Sequence, residues 1–343
     1  MKPAYFEFYG HKVKVESEVS ELLSLLKKDF SVFAQDGEKG VADFTLQVYL
    51  TDPPLEQIPN VVCTMQTINS ICYDIHDVRY CDYYGELLVI LNKKTNSAKM
   101  YAKNISKIHE VSYLLILSRI GKRMDLSGLH KLHAFSVAYK DLALVCMMPM
   151  KGGKSTLLME FLKDSRFKII SDDIPLVDWQ GHIRPFPIKI GLSDKAVELK
   201  VLNPDENYYF MDRGQYGKKK LLSLKGLPGK VVEIDRSYEK VLLIEAFRYN
   251  SRTSILKDSS FLSTGKGLLK HGIIGFGLPM VIEYFWENGW RDFLTKTKIF
   301  CFRCIGFGAL LFRAKRMKLF LGRNPEEAAE VIMKYIAANY EKI

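Results

Sequence analysis

Residues 147–156 read MMPMKGGKST, and residues 167–173 read FKIISDD. Small residues at Gly152 and Gly153 let a backbone approach an anion closely, so that several N–H groups converge on it at the start of a helix. That is the chemistry of a nucleotide phosphate site. In such a site Lys154 reaches the β- and γ-phosphates, Ser155 ligates Mg2+, and Lys151 and Thr156 are supporting donors. The full spacing G-x-x-x-x-G-K-[ST] would place a glycine where this chain has Met148. Phosphate contacts come mainly from the later residues, so Met148 is expected to be tolerated. By ordinary residue usage G-K-[ST] occurs by chance in roughly one chain of this length in six, so its context must carry the argument.

Asp172 and Asp173 follow the loop. Adjacent carboxylates on an extended strand point in opposite directions, so both can face one site only if the strand has ended before them. One would then hold Mg2+ while the other accepts a proton from an attacking hydroxyl, as phosphoryl transfer to an alcohol requires. A Ser-Asp-Asp turn or helix cap is the plainer reading of the same residues. His133, in GLHKLHAFSVAYKDLALVC, precedes Lys154 and is a further candidate. A lone histidine is more often structural than catalytic.

The flanking segments have the periodicities that such a loop needs. LALVCMM (142–148) is an unbroken apolar run of strand length, and KSTLLMEFLKD (154–164) has helical spacing. HAFSVAY reads as the strand paired with 142–148, FKIISDD as another buried strand, and PLVDWQGHIRPFP (175–187) as two short strands about a Gln-Gly turn. Upstream, residues 1–104 alternate short apolar runs with one helical stretch, VSELLSLLKKDF, which predicts an α+β domain rich in antiparallel strands. The helix ISKIHEVSYLLILSRIGKR (105–123) ends at DLSG and marks the boundary, giving domains over 1–125 and 126–343. From about 266 onward the pattern is mostly helical, with a last helix starting at Pro325.

Composition bounds the partners. The 343 residues include 50 Lys+Arg against 39 Asp+Glu, a net charge of +11 that favours acidic ligands or surfaces. The N-terminus lacks the apolar core of a signal peptide and the six cysteines show no framework spacing, so a reducing cytoplasm is expected. GIIGFGLPMVIEYFW (272–286) and IFCFRCIGFGALLF (299–312) are too short or too interrupted to span a bilayer and read as buried helices. Peripheral contact with a membrane surface is the alternative reading. Cys301-x-x-Cys304 has no second pair and reads as core cysteines rather than a zinc site. No interleaving of basic and aromatic residues points to nucleic acid. Lys218–Lys220 suit either a loop over the site or a soluble turn, and the nine Lys/Arg between Arg291 and Arg323 suit a solvated face or an acidic dock. A homo-oligomer is compatible with all of this.

Taken together, HAFSV, GGKSTLL and IISDDIPLVDWQGHIRPFPIKIGL resemble the HPr kinase/phosphorylase family over about residues 128–195, with a looser match out to LFLGRNPEEAAEVI. The resemblance implies an α/β P-loop kinase domain of the HPr kinase/phosphoenolpyruvate carboxykinase type behind a distinct α+β N-terminal domain. It implies that His133 lies near the reacting phosphate, that Lys154 and Ser155 hold ATP and Mg2+, and that Asp172 or Asp173 is the base. The family's later segment for dephosphorylation has no counterpart, so phosphorylase activity is not expected. The chain is more similar to HPr-kinase-like proteins of ribosomally made peptide pathways, including lasso peptide clusters, which phosphorylate a serine on a precursor peptide. Three functions follow as expectations: a serine kinase acting on a protein or peptide, a kinase of a small hydroxylated metabolite, or a nucleotide-binding escort without chemistry.

Overall fold

The computed structural model describes all residues except 1, 39, 150–151, 193–199, 213–216, 276–281, 288 and 341–343. The protein is mixed α/β with several sheets. It divides into two compact units: 1–124 with 209–221 and 279–297, and 125–208 with 222–278 and 298–343.

The first unit is built on a nine-stranded sheet. Its strands are β1 (Lys2–Phe8), β2 (His11–Ser17), β3 (Ala34–Gln35), β4 (Phe44–Leu50), β5 (Met65–Gln66), β6 (Ile71–Ile75), β7 (Val78–Asp82), β8 (Leu87–Asn92) and β9 (Ser97–Ala102), in spatial order β3-β1-β2-β4-β9-β8-β7-β6-β5. Most neighbours are antiparallel, as the alternating pattern predicts, but β2–β4 and β4–β9 are parallel. Helix α1 (Ser20–Asp29) connects β2 to β3, and α2 (Ile105–Leu126) follows β9. The inward face of β1 packs Phe8 edge-on against Phe30 just beyond α1, ring centroids 5.2 Å apart. The expected split at 125/126 meets a chain that returns twice. Within the first unit, the buried guanidinium of Arg79 donates to the Glu283 carbonyl at 2.7 Å and pairs with Asp74 at 2.6 Å, which ties the returning segment 279–297 to β6 and β7.

The second unit holds a six-stranded sheet ordered β13-β11-β12-β19-β21-β20 and a small three-stranded one ordered β10-β14-β15. In chain order its elements are β10 (Leu129–Lys131), β11 (Ala134–Tyr139), β12 (Leu142–Met147), α3 (Lys154–Lys163), β13 (Phe167–Ser171), β14 (Leu176–Asp178), β15 (Ile183–Arg184), β16 (Ile190–Gly191) and α4 (Pro204–Asn207). β17 (Tyr208–Asp212) and β18 (Lys218–Leu222) fall almost wholly on a segment that returns to the first unit; the second unit resumes with β19 (Lys240–Arg248), β20 (Ile255–Asp258) and α5 (Phe261–Leu268). α6 (Ile282–Phe285) and the first turns of α7 (Trp290–Arg313) again belong to the first unit, and the rest of α7, β21 (Lys315–Leu321) and α8 (Pro325–Tyr340) to the second.

β11 and β12 are buried at every residue, because helices cover both faces of the sheet. Ala143, Val145 and Met147 of β12 share a buried cluster with Leu268, Phe307 and Leu310. On the alternate face, Phe135 meets Phe161 of α3, centroids 6.1 Å apart.

Pairing sets the direction of the edge that matters. β11 runs antiparallel to both β12 and β13, whereas β12, β19 and β21 are mutually parallel. The start of β11 and the ends of β12, β13 and β19 therefore share one sheet edge. His133, the glycine loop and the Asp pair all follow from that register.

The expected pairing of HAFSVAY with LALVCMM and the hairpin about Gln180-Gly181 are present. Four expectations change. The helical C-terminal region contains β21, whose alternating Met317, Leu319 and Leu321 point inward. Lys218–Lys220 lie on strand β18 rather than in a loop, while 213–216 are outside the described residues. Cys301 is exposed and Cys304 half-buried on α7, because that helix buries its other side. The run 272–286 includes 276–281, outside the described residues; around it stand a π-helical turn, Leu269–Ile273, and α6.

Candidate active site

β12 ends at Met147, and the chain reaches α3 through a turn in which the Gly152 amide donates to the Pro149 carbonyl at 3.0 Å. A methyl group on Gly152 would stand 2.8 Å from that carbonyl oxygen, and Gly153 has φ +102, so both positions require glycine. Met148 is buried and is not among the described non-glycine residues with positive φ. Its position therefore has no backbone need for glycine, and the defect in the loop spacing costs the turn nothing. Lys151 lies outside the described residues. Thr156 stands half-buried on the first turn of α3.

Lys154, the first residue of α3, points back along the loop. Its Nζ donates to His133 Nε2 at 2.7 Å and to the Met148 carbonyl at 3.3 Å, and lies 3.3 Å from Asp173 Oδ1. An ammonium can only donate, so Nε2 is the acceptor and the imidazole proton sits on Nδ1, 3.4 Å from Asp173 Oδ1.

The two carboxylates lie just beyond the end of β13, the condition under which both can face one site. The Ser171 hydroxyl accepts from the Ile174 amide at 3.1 Å and turns the chain there. They are treated differently. Asp172 is 5% exposed and accepts from Ser155 Oγ at 3.0 Å and the Gly191 amide at 3.0 Å. The Asp173 side chain is 39% exposed and faces Lys154 and His133. Sequence alone had not distinguished the surroundings of the two carboxylates.

Three contributors were missed by sequence reasoning. Arg248, the last residue of β19, places Nη2 2.9 Å from where a Gly153 methyl would be, so a second cation lies beside the loop. His271 stacks on His133 with ring centroids 5.9 Å apart and planes 15° apart, and its carbonyl accepts from the His133 amide at 2.9 Å. Gly191 contributes only a backbone amide. The single available signal was Arg248, a basic residue closing an apolar strand run.

Burial holds His133 down to about 4, with Lys154 lowering it further and Asp173 opposing. Burial also holds His271 down to about 4, helped by His133, Lys270 and Lys154. Both imidazoles are neutral in the fold, whereas the unfolded chain takes up their protons below about pH 6.5. The unfolded state thus binds more protons between pH 6.5 and 4, so stability is complete above that window and declines as pH falls through it. One such shift is worth on the order of 3 kcal/mol. Denaturant unfolding of the wild type at pH 7 and pH 5 should show the loss, and the double variant His133→Gln, His271→Gln should flatten it. An unchanged pH dependence in the double variant would place the acid sensitivity elsewhere.

Among the described residues, no cluster of three or more His, Cys, Asp or Glu side chains could hold a metal ion by itself. The hard oxygen donors of Ser155 and Asp172, 3.0 Å apart, suit a Mg2+ ion that shares its ligands with phosphate and water. The assembled groups can seat a polyphosphate on the loop and Lys154, hold a divalent cation at Ser155 and Asp172, and offer Asp173 as a solvent-reachable base. No family model matches the chain and no curated protein matches it, so the arrangement stands on its own geometry.

Proposed function

We propose that the protein is an ATP- and Mg2+-dependent kinase that transfers the γ-phosphoryl group to a serine hydroxyl of a protein or precursor peptide, with a P-loop domain of the HPr-kinase-like type. The observation that carries this reading is the division between Asp172, buried against Ser155, and Asp173, exposed beside Lys154. A protein that only bound nucleotide would need the first arrangement and not the second.

In this reading the glycine loop and the start of α3 seat the phosphates, and Lys154 exchanges its contacts with His133 and Asp173 for phosphate oxygens. Mg2+, held by Ser155 and Asp172, would neutralise charge developing on the transferred group. The serine oxygen bonds to the γ-phosphorus as the bond to the bridging oxygen breaks. The electron pair leaves with ADP and the hydroxyl proton passes to Asp173. Neutral His133 touches both Lys154 and Asp173 and aligns them, with His271 behind it. Arg248 adds positive charge on the loop's other side.

Incubating purified protein with Mg2+, γ-labelled ATP and serine-containing peptides encoded by neighbouring genes, alongside free serine, tests this directly. Label on a peptide, absent with Lys154→Ala, supports the proposal. Lys154-dependent ATP binding with no label on any acceptor would replace it with the escort reading.

A further inference from the structure

In the second unit, α5 and α7 present large apolar side chains to solvent. On α5, Leu262 and the helix-end residue Leu269 lie seven apart on one face and are 77% and 44% exposed. On α7, Ile305 and Phe312 have the same spacing and are 56% and 76% exposed. The Phe261 and Phe312 rings meet with centroids 4.9 Å apart, so the two stripes form one patch. α7 already buries Ile299, Phe307 and Leu310 on its other side, so the outward stripe is surplus to the core. A helix apolar on two faces has two apolar surroundings, and soluble monomers rarely leave such a surface open.

Charge selects what covers it. Exposed Lys266 lies between Leu262 and Leu269, exposed Lys270 follows, and Lys298 and Arg313 bracket the α7 stripe. Arg316 lies over the Phe261 ring, 5.6 Å from its centroid. Neither 261–274 nor 298–313 contains an Asp or Glu. Arg313 keeps one loose carboxylate neighbour, Glu239 at 3.9 Å. A second copy of the same face would set these cations against each other. An anionic bilayer sets them against lipid phosphates, with lysine stems reaching up to the headgroups while leucine and phenylalanine enter the acyl boundary.

We propose that this face of α5 and α7 seats the protein on a membrane surface rich in anionic lipid. No helix among the described residues is long and apolar enough to cross a membrane, so the contact is interfacial. The π-helical turn that continues α5 carries His271, the residue stacked on His133. Lipid-bound protein therefore holds its candidate phosphate site a short helical segment from the headgroups, where a membrane-associated acceptor would meet it.

Sedimentation of the whole chain with vesicles of phosphatidylcholine alone, or with about a third phosphatidylglycerol, tests this. Binding is expected to the anionic vesicles and to weaken with salt. Leu262→Glu and Phe312→Glu should each lower partitioning at least about tenfold. Lys266→Glu with Lys270→Glu should lower it by roughly fivefold per unit of charge changed. Thermal unfolding checks that each variant folds, and Leu262→Gln replaces any that does not. Failure of the folded wild type to bind anionic vesicles overturns the proposal, as does equal binding to both vesicle types. Light scattering supplies a third arm: a stable dimer dissociated by Phe312→Glu would assign the face to a second copy instead.

Discussion

Phosphoryl transfer by the Asp173→Asn protein is expected to fall by about 10²–10⁴-fold, the usual contribution of a positioned general base, while ATP affinity stays equal to wild type or tightens. The two halves of this expectation come from one piece of geometry. Asp173 is the carboxylate an acceptor can reach, and it stands 3.3 Å from Lys154 Nζ. Asparagine keeps the shape and removes both the proposed proton acceptor and a negative charge beside Lys154, where the proposal seats the polyphosphate. Asp172→Asn should behave differently, because its carboxylate accepts from Ser155 and Gly191 and would hold the cation in the proposed site. Its loss should appear as a raised Mg2+ requirement as well as slower transfer. Single-turnover transfer rates combined with ATP and Mg2+ titrations separate the two. If Asp173→Asn transfers at the wild-type rate and Asp172→Asn does not, the base is Asp172 and the division of roles is reversed.

How much of this site could be read from the chain depends on how far apart its pieces lie in sequence. The loop, the strand before it and the helix after it are contiguous, and their periodicities change at Met147 and Lys154, so local pattern sufficed. The Asp pair was legible because a buried strand of five residues cannot hide two carboxylates at its end. His133 was legible only through its distance from the loop; its pairing with Lys154 rests on the antiparallel register Ala134↔Met147, which sequence suggested but could not measure. Arg248 reaches the site through the parallel pairing of β19 with β12, His271 through its carbonyl's bond with the His133 amide, and Gly191 through its amide's bond to Asp172. Those are long-range facts that leave no local period.

The same physics explains the structural surprises. β21 is a seven-residue alternation between two helices, short enough to be absorbed into a helical pattern. The outward Cys301 reflects a helix with two apolar sides, where hydrophobicity alone cannot say which one meets the core. Segments 209–221 and 279–297 join the first unit through contacts such as Arg79 with the Glu283 carbonyl, invisible to any window on the sequence. Met148 made the opposite lesson: the motif's missing glycine looked like a defect, yet the structure puts the glycine-requiring dihedral at Gly153 and the steric need at Gly152.

Lys154→Met should then separate the loop's shape from its charge. Methionine matches the length of the lysine stem and leaves the turn intact, since Gly152, Gly153 and the Leu157 amide bond to the Gly153 carbonyl at 2.9 Å do not involve the side chain. What disappears is an ammonium whose three neighbours are His133, Asp173 and a carbonyl oxygen. Removing the cation from a largely desolvated charge pair costs about 2–5 kcal/mol, so ATP binding should weaken by roughly 30-fold to several thousand-fold. The change also leaves Asp173 without its ammonium and withdraws a charge that lowers the His133 imidazole. The Lys154→Met protein should therefore carry a more basic His133, which titration of its ring resonances by NMR reads independently of any activity. Weak ATP binding with a raised His133 pKa is the expected pair of results. Wild-type ATP affinity in a folded Lys154→Met protein would show that nucleotide is held elsewhere, and with it the proposed kinase site would fall.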